Sequence, residues 1–248
     1  MEKPLAQTLQ IDANMSVYER EQMKMGKYSI PLALVRDRYI LTCGGIIGPN
    51  KPTNMVEMYD VNTNTWTGMS PMEFARRNTS AVVMANRFVY VLPGLSFQQN
   101  SPNNGYIERL DTGSSAQLET AKAQKGVNIF MASQKWELLQ VSNPAFIASH
   151  PTSAIQITAY EMLIFGGENT NTYIFDTREV NGRQAKIQTM KSGGLQIKGR
   201  FCQNTDYVAR VFGNFLYTID ATDNNLHVYA IKDMMWNFSP LQDLGIQN

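Results

Sequence analysis

The 248-residue chain is short of the residues that build most chemical sites. It has two cysteines, Cys43 and Cys202, far apart in sequence, so a disulfide framework is not expected and a reducing compartment is. Its two histidines, His150 and His227, are too few and too scattered for a Cys/His zinc cluster. Charge of either sign is not in excess: 22 Lys and Arg stand against 21 Asp and Glu, for a net charge of +1. With no long basic run, nothing steers the chain toward nucleic acid or an anionic membrane. No apolar run approaches the ~20 residues that span a bilayer. The N-terminal segment has no hydrophobic signal core, so cytoplasmic residence is expected, with cytoskeletal association as a variant. The glycosylation triplets at Asn14, Asn78 and Asn237 then read as chance matches. A Gly-x-Ser-x-Gly elbow, a phosphate loop and a dinucleotide fingerprint are all missing. Gly44-Gly45 and Gly193-Gly194 lack the helix pattern and basic residue that such loops require.

What the chain does have is a repeated grammar. Arg38-Tyr-Ile-Leu-Thr-Cys-Gly-Gly45 is a short apolar strand running into a double glycine. Val56-Glu-Met-Tyr-Asp60 is a second strand, and Trp66 follows Tyr59 by seven residues. Sliding this unit along the chain finds Arg87–Gly94, with Pro93 for the first glycine, then Glu161–Gly167 with Gly166-Gly167 intact. The last is Asn214–Ala221, with both glycines lost. The second-glycine positions are spaced 49, 73 and 54 residues apart. The second strand recurs as Ile107–Asp111, Tyr173–Asp176 and Leu226–Tyr229. Trp136 and Trp236 fill the Trp position in the second and fourth units, and Ile187 replaces it in the third. About 19 extra residues enter the second unit, around Thr112–Gln134, where Gly, Ser, Ala, Gln and Lys dominate. Each predicted strand is short, β-branched or aromatic, and bounded by Gly, Asn, Asp or Pro.

The physical roles follow from the residue types. Double glycine permits a close backbone approach that a Cβ would block. Asp60 before Asn62-Thr-Asn64 is Asx-turn chemistry. The Trp is expected to plug the space between neighbouring units and to bury ~200 Å². Cys43 abuts the glycines and His227 lies mid-strand, so both are packing positions. The 14 methionines suit gap filling between units.

This pattern resembles the kelch repeat, in which one repeat is one four-stranded blade of a β-propeller. The resemblance implies an all-β fold, a single propeller domain over residues 1–248. Its blades are expected at 28–76, 77–149, 150–203 and 204–248, with the insertion in the second. Residues 1–27 resemble the end of a preceding blade: Ile11-Asp12 and Tyr18 repeat the spacing of Tyr59-Asp60 and Trp66, and Met23 matches Met72. About four and a half blades are thus expected. A ring must close to hide its sheet edges, and rings of this family most often hold about six blades. Upstream blades, or a partner segment, are expected to complete it.

In this family the loop leading into the first strand of each blade lines the channel mouth, and an Arg there often binds acidic peptides. That position is Arg77 in Pro71-Met-Glu-Phe-Ala-Arg-Arg-Asn-Thr-Ser-Ala81. The same offset picks Tyr28, His150 and Asn204. Together they would offer an aromatic face, a bidentate donor, an imidazole and an amide. The alternative is that these side chains only solvate the rim or satisfy loop backbone. The insertion could carry a partner contact or be a solvated loop. The runs at 48–54 and 98–105 read as solvated loops. The expected function is a non-catalytic protein-interaction module or scaffold, without cofactor or metal, that docks a partner peptide or protein at the mouth. A structural subunit bound through blade flanks and the insertion is the competing class. A kelch-type sugar-isomerising enzyme is a more distant one. Copper chemistry of this fold needs two His, a Tyr and a Cys-linked Tyr at one centre, which the chain does not supply.

Overall fold

The computed structural model describes residues 5–49, 51–94, 105–124, 126–149, 153–165, 171–190, 209–220 and 225–240. Four antiparallel four-stranded meanders and two two-stranded hairpins organise them. The first hairpin is β1 (Thr8–Ile11) with β2 (Val17–Arg20). Blade one is β3 (Leu32–Val35), β4 (Tyr39–Cys43), β7 (Val56–Asp60) and β8 (Thr65–Gly68). A small side hairpin, β5 (Ile46–Ile47) with β6 (Lys51–Pro52), lies between β4 and β7. Blade two is β9 (Ala81–Met84), β10 (Phe88–Val91), β11 (Tyr106–Asp111) and β12 (Trp136–Val141). Blade three is β13 (Ser153–Gln156), β14 (Glu161–Phe165), β15 (Tyr173–Asn181) and β16 (Gln184–Thr189). Blade four is β17 (Ala209–Phe212), β18 (Phe215–Asp220), β19 (Asn225–Ala230) and β20 (Met235–Pro240). The expected all-β propeller of about four and a half blades is the observed fold.

The predicted Trp spacing is a cross-strand register. Tyr59 pairs with Trp66, Leu110 with Trp136, Phe175 with Ile187 and Tyr229 with Trp236. The opening hairpin departs from this by one residue: Tyr18 pairs with Gln10, and Ile11 with Val17. Its turn is one residue shorter, because Asp12 N–H bonds Ser16 O directly, whereas Asp60 pairs with Thr65 across a longer turn.

The core lies in the seams between blades, which is why a single blade cannot stand alone. One cluster joins Leu41, Cys43 and Met58 of blade one to Val89, Val91 and Leu110 of blade two. A second joins Tyr90, Ile107 and Leu139 to Met162, Ile164 and Phe175 of blade three. A third joins Leu163 and Phe165 to Leu216 and Tyr229 of blade four. The turn between β3 and β4 uses left-handed Arg36 and Asp37, and the matching turn in blade two uses Ala85 and Asn86.

Three expectations are corrected. The insertion is not a solvated loop but two helices, α1 (Ser115–Ala123) and α2 (Val127–Ala132), packed on the first seam through Leu118 and Met131. Ser114 caps α1 in a reciprocal box with Gln117, satisfying two orphan backbone donors. The run at 48–54 contains β6 and the buried Thr53, which bridges to Arg76. The third strand of blade three does not stop at Asp176: β15 runs on past a register shift to Asn181. Its hairpin brings β16 beside β12 in parallel, at Gln140 with Gln184 and Val141 with Ala185, merging blades two and three into one eight-stranded sheet. A short helix, α3 (Pro144–Ser149), links these two blades.

Candidate functional site

Two lead-in loops, 27–30 and 76–79, approach the ends of β4 and β10. At blade one, Gly44 and Gly45 both have positive φ, +78° and +98°. A Cβ on Gly44 would stand 2.8 Å from Arg76 O, and one on Gly45 would stand 3.0 Å from Tyr28 O. At blade two, a Cβ on Gly94 would meet Arg77 O at 2.3 Å. The glycines therefore exist to let the lead-in backbone lie against the strand end. Main-chain bonds fix that contact: Gly45 N–H to Arg76 O (2.9 Å), Tyr28 N–H to Ile46 O (3.1 Å) and Ile46 N–H to Tyr28 O (2.9 Å).

Tyr28 and Arg77 occupy equivalent positions in these loops, both half-buried. Burial lowers the Arg77 pKa, and interaction with Tyr28 works against that. The residues just after them, Ser29 and Asn78, both adopt left-handed backbone, at φ 53° and 47°, and their side chains meet at 2.5 Å. Such conformations in non-glycine residues are held only by their surroundings. Of the four predicted mouth residues, the structure brings Tyr28 and Arg77 within interaction range. His150 and Asn204 lie outside the described residues, as do Gly166 and Gly167.

The signature residues have structural duties. Asp60 receives two bonds from the Arg38 guanidinium, each 2.8 Å, and one from Asn62 N–H at 3.0 Å. Burial alone would raise its pKa, but Arg38 and the Asn62 amide outweigh burial and leave it lowered. Arg87 clamps Asp111 in the same way. In blade three Tyr160 stands where the Arg would be, and Arg178 supplies the cation from beyond Asp176, stacking on Tyr160. The Asp176 carboxyl is held below its usual range by Arg178. Trp66 and Trp136 are half-buried, less than a full plug. Each donates its indole N–H to the preceding unit, Trp66 to Glu21 O (2.8 Å) and Trp136 to Ser70 O (3.0 Å). The side chain of Trp236 lies outside the described residues. Cys43 is fully buried, and burial pushes its thiol up to about 12, which makes it inert at neutral pH.

Sequence reasoning passed over the most buried charges. Arg76 and Glu108 form an ion pair at 3.0 Å with no exposure of either side chain. Lys27 and Glu57 form a matching pair at 2.9 Å. The signal was present: a cation just before Tyr28 and Arg77, and an acid two residues before Tyr59 and Leu110.

On the outer flank, the helical insertion borders two open clefts. One, of about 250 Å³, is lined by Arg38, Asp60, Thr63, Lys122 and Ile129. The other, of about 420 Å³, is lined by Gln117, Thr120, Gln124, Ile129 and Phe130. Ile129, strongly exposed, stands between them. Among the described residues no three His, Cys, Asp or Glu side chains group as a metal would require. No described helix is long and apolar enough to cross a membrane.

A family model described as the kelch motif matches residues 32–73, which span blade one and the start of the following lead-in segment. No curated protein matches the chain significantly. The kelch motif matched over blade one, the double-glycine contact and the four-stranded sheets that repeat through the described residues together support a kelch-type β-propeller.

Proposed function

We propose that the chain is a non-catalytic protein-interaction module that docks an acidic or polar peptide at the mouth formed by its lead-in loops. Arg77 is the charge anchor and Tyr28 the aromatic face; His150 and Asn204, outside the described residues, are the candidates at the same offset in the next two repeats. The observation that carries this reading is the pair of backbone-pinned loops presenting a tyrosine and a guanidinium at equivalent positions. A pre-formed donor spends little ordering entropy on binding, and guanidinium–carboxylate geometry adds selectivity. We place the protein in the cytoplasm.

A second reading is favoured by the insertion, which is a folded helical hairpin with exposed Ile129 between two clefts. There the chain would be a subunit of a cytoskeletal or other large assembly, held by its flank. Deleting residues 113–133 would remove Leu118 and Met131 from the first seam, so it would confuse binding with folding. Point changes separate the readings. Backbone NMR of the full chain is recorded with an Asp/Glu octapeptide, then with a Lys octapeptide of equal length. The mouth reading expects the acidic peptide alone to shift residues 28–30 and 77–79. Shifts confined to residues 115–132, abolished by Ile129→Asp, would favour the flank.

A further inference from the structure

Two buried ion pairs repeat at equivalent places, and each cation is the residue immediately before a mouth residue. Lys27 Nζ reaches Glu57 Oε2 at 2.9 Å and donates to Thr42 Oγ1 at 3.2 Å. Glu57 Oε1 accepts Lys24 N–H at 3.0 Å. In the next repeat Arg76 Nε reaches Glu108 Oε1 at 3.0 Å, while its other nitrogens donate to Leu92 O and Tyr106 O, each 2.9 Å. Glu108 also accepts Glu73 N–H at 2.7 Å and Phe74 N–H at 3.1 Å. The correspondence extends to the backbone: Lys27 N–H bonds Leu5 O (3.0 Å), as Arg76 N–H bonds Thr53 O (3.2 Å), and Met23 N–H bonds Ala6 O (2.8 Å), as Met72 N–H bonds Asn54 O (2.9 Å).

We propose that Lys27–Glu57 and Arg76–Glu108 are positioning latches: each carboxylate gathers the lead-in loop and its cation, and so sets where Tyr28 and Arg77 stand at the mouth. Arg76 holds the two neighbouring blades together. Its guanidinium is fixed in blade two, while its carbonyl receives Gly45 N–H from blade one. The main chain at residue 77 therefore has both its neighbouring blade ends fixed before a ligand arrives. A salt bridge for burial's sake alone would be a poor choice, because an apolar pair of the same volume serves stability as well or better. What an apolar pair could not do is take Glu73 N–H, Phe74 N–H, Leu92 O and Tyr106 O at once. The device belongs to the first two blades, since the acid's position becomes Tyr173 in blade three and His227 in blade four.

This inference rests on the proposed mouth for its purpose, but its test needs no ligand. Amide hydrogen exchange and the Arg77 Nε–H signal are measured on the full chain and on Arg76→Lys, Arg76→Met and Glu108→Gln. Arg76→Met is expected to speed exchange at Gly45, Glu73 and Phe74 by at least tenfold, with Leu41 and Met58 still protected. The Arg77 Nε–H signal should move to the position of a solvent-exposed arginine. Arg76→Lys should stay within about threefold, because lysine fills the same place at residue 27. Glu108→Gln keeps the shape of the acid and supplies the test if Arg76→Met does not fold: it should loosen the same amides. Unchanged exchange at Gly45, Glu73 and Phe74 in a folded variant, with the Arg77 signal unmoved, would overturn the proposal. Failure of the acidic octapeptide to bind the parent chain would instead defeat the mouth reading and leave the latch result standing.

Discussion

Blades two and three share one continuous sheet yet are stitched by different chemistry. In blade two the third strand carries Glu108, which accepts from Arg76 and from the Glu73 and Phe74 amides, while Arg76 donates to Leu92 O and Tyr106 O. In blade three the same position is Tyr173, whose hydroxyl donates to Ala145 O in α3 at 2.8 Å and whose ring meets Phe146 edge-on. Blade two clamps Asp111 with Arg87 from the turn before its second strand, whereas blade three clamps Asp176 with Arg178 from two residues further along the same third strand. What stays constant is the cross-strand pair, Leu110 with Trp136 and Phe175 with Ile187, that faces the seam. The blade plan thus depends on a few apolar pairs, while polar fastenings can be exchanged. Where the fastening is a fully buried ion pair, it coincides with the loops we assign to recognition.

The comparison can be broken by removing the fastenings in order of expected effect. Glu108→Ala leaves Arg76 buried without its counter-charge, and should cost about 3–5 kcal/mol in denaturant unfolding. Trp66→Ala removes a half-buried ring and its bond to Glu21 O, and should cost about 2–3 kcal/mol, below the range for a fully buried Trp. Tyr173→Phe removes neutral hydrogen bonds only, a short one to Ala145 O and a long one from Asn171 Nδ2, and should cost about 1 kcal/mol. If Tyr173→Phe proved as damaging as Glu108→Ala, the contrast between ionic and neutral fastening would fall.

A smaller effect is pH-dependent. Asp60, Asp111 and Asp176 all titrate below the ordinary carboxylate value when folded. A lowered folded pKa contributes stability above the unfolded value of about 3.9 and loses it as pH falls through the folded value. Melting temperatures should therefore hold level near neutrality and drop below about pH 4. Asp60→Asn should flatten part of that drop.

Much of this was legible in the chain. Tyr59 with Trp66 and Phe175 with Ile187 are register pairs because an apolar residue placed opposite another across a turn is a strong local constraint. The slip at Tyr18 escaped because a turn shortened by one residue changes the partner without changing the composition. The helices of the insertion were within reach: Ser114-Ser-Ala-Gln117 is a capping-box signature ahead of good helix formers, and small polar residues hid it among loop composition. Arg76 and Arg77 are adjacent and identical, so nothing in the pair itself says which turns inward. Only the alignment of Lys27 with Arg76 and of Glu57 with Glu108 could have assigned the buried one, and with it the half-buried candidate.

The central claim is that Arg77 anchors an acidic peptide at a mouth held ready by the first two blades. The direct measurement is fluorescence anisotropy of a labelled Asp/Glu octapeptide against the parent chain and Arg77→Ala at two salt concentrations, with melting temperature recorded for each. The expected result is at least tenfold weaker binding by Arg77→Ala, about 1.4 kcal/mol, with a shallower salt dependence and an unchanged melt. Equal affinity and equal salt dependence in a folded Arg77→Ala would contradict it.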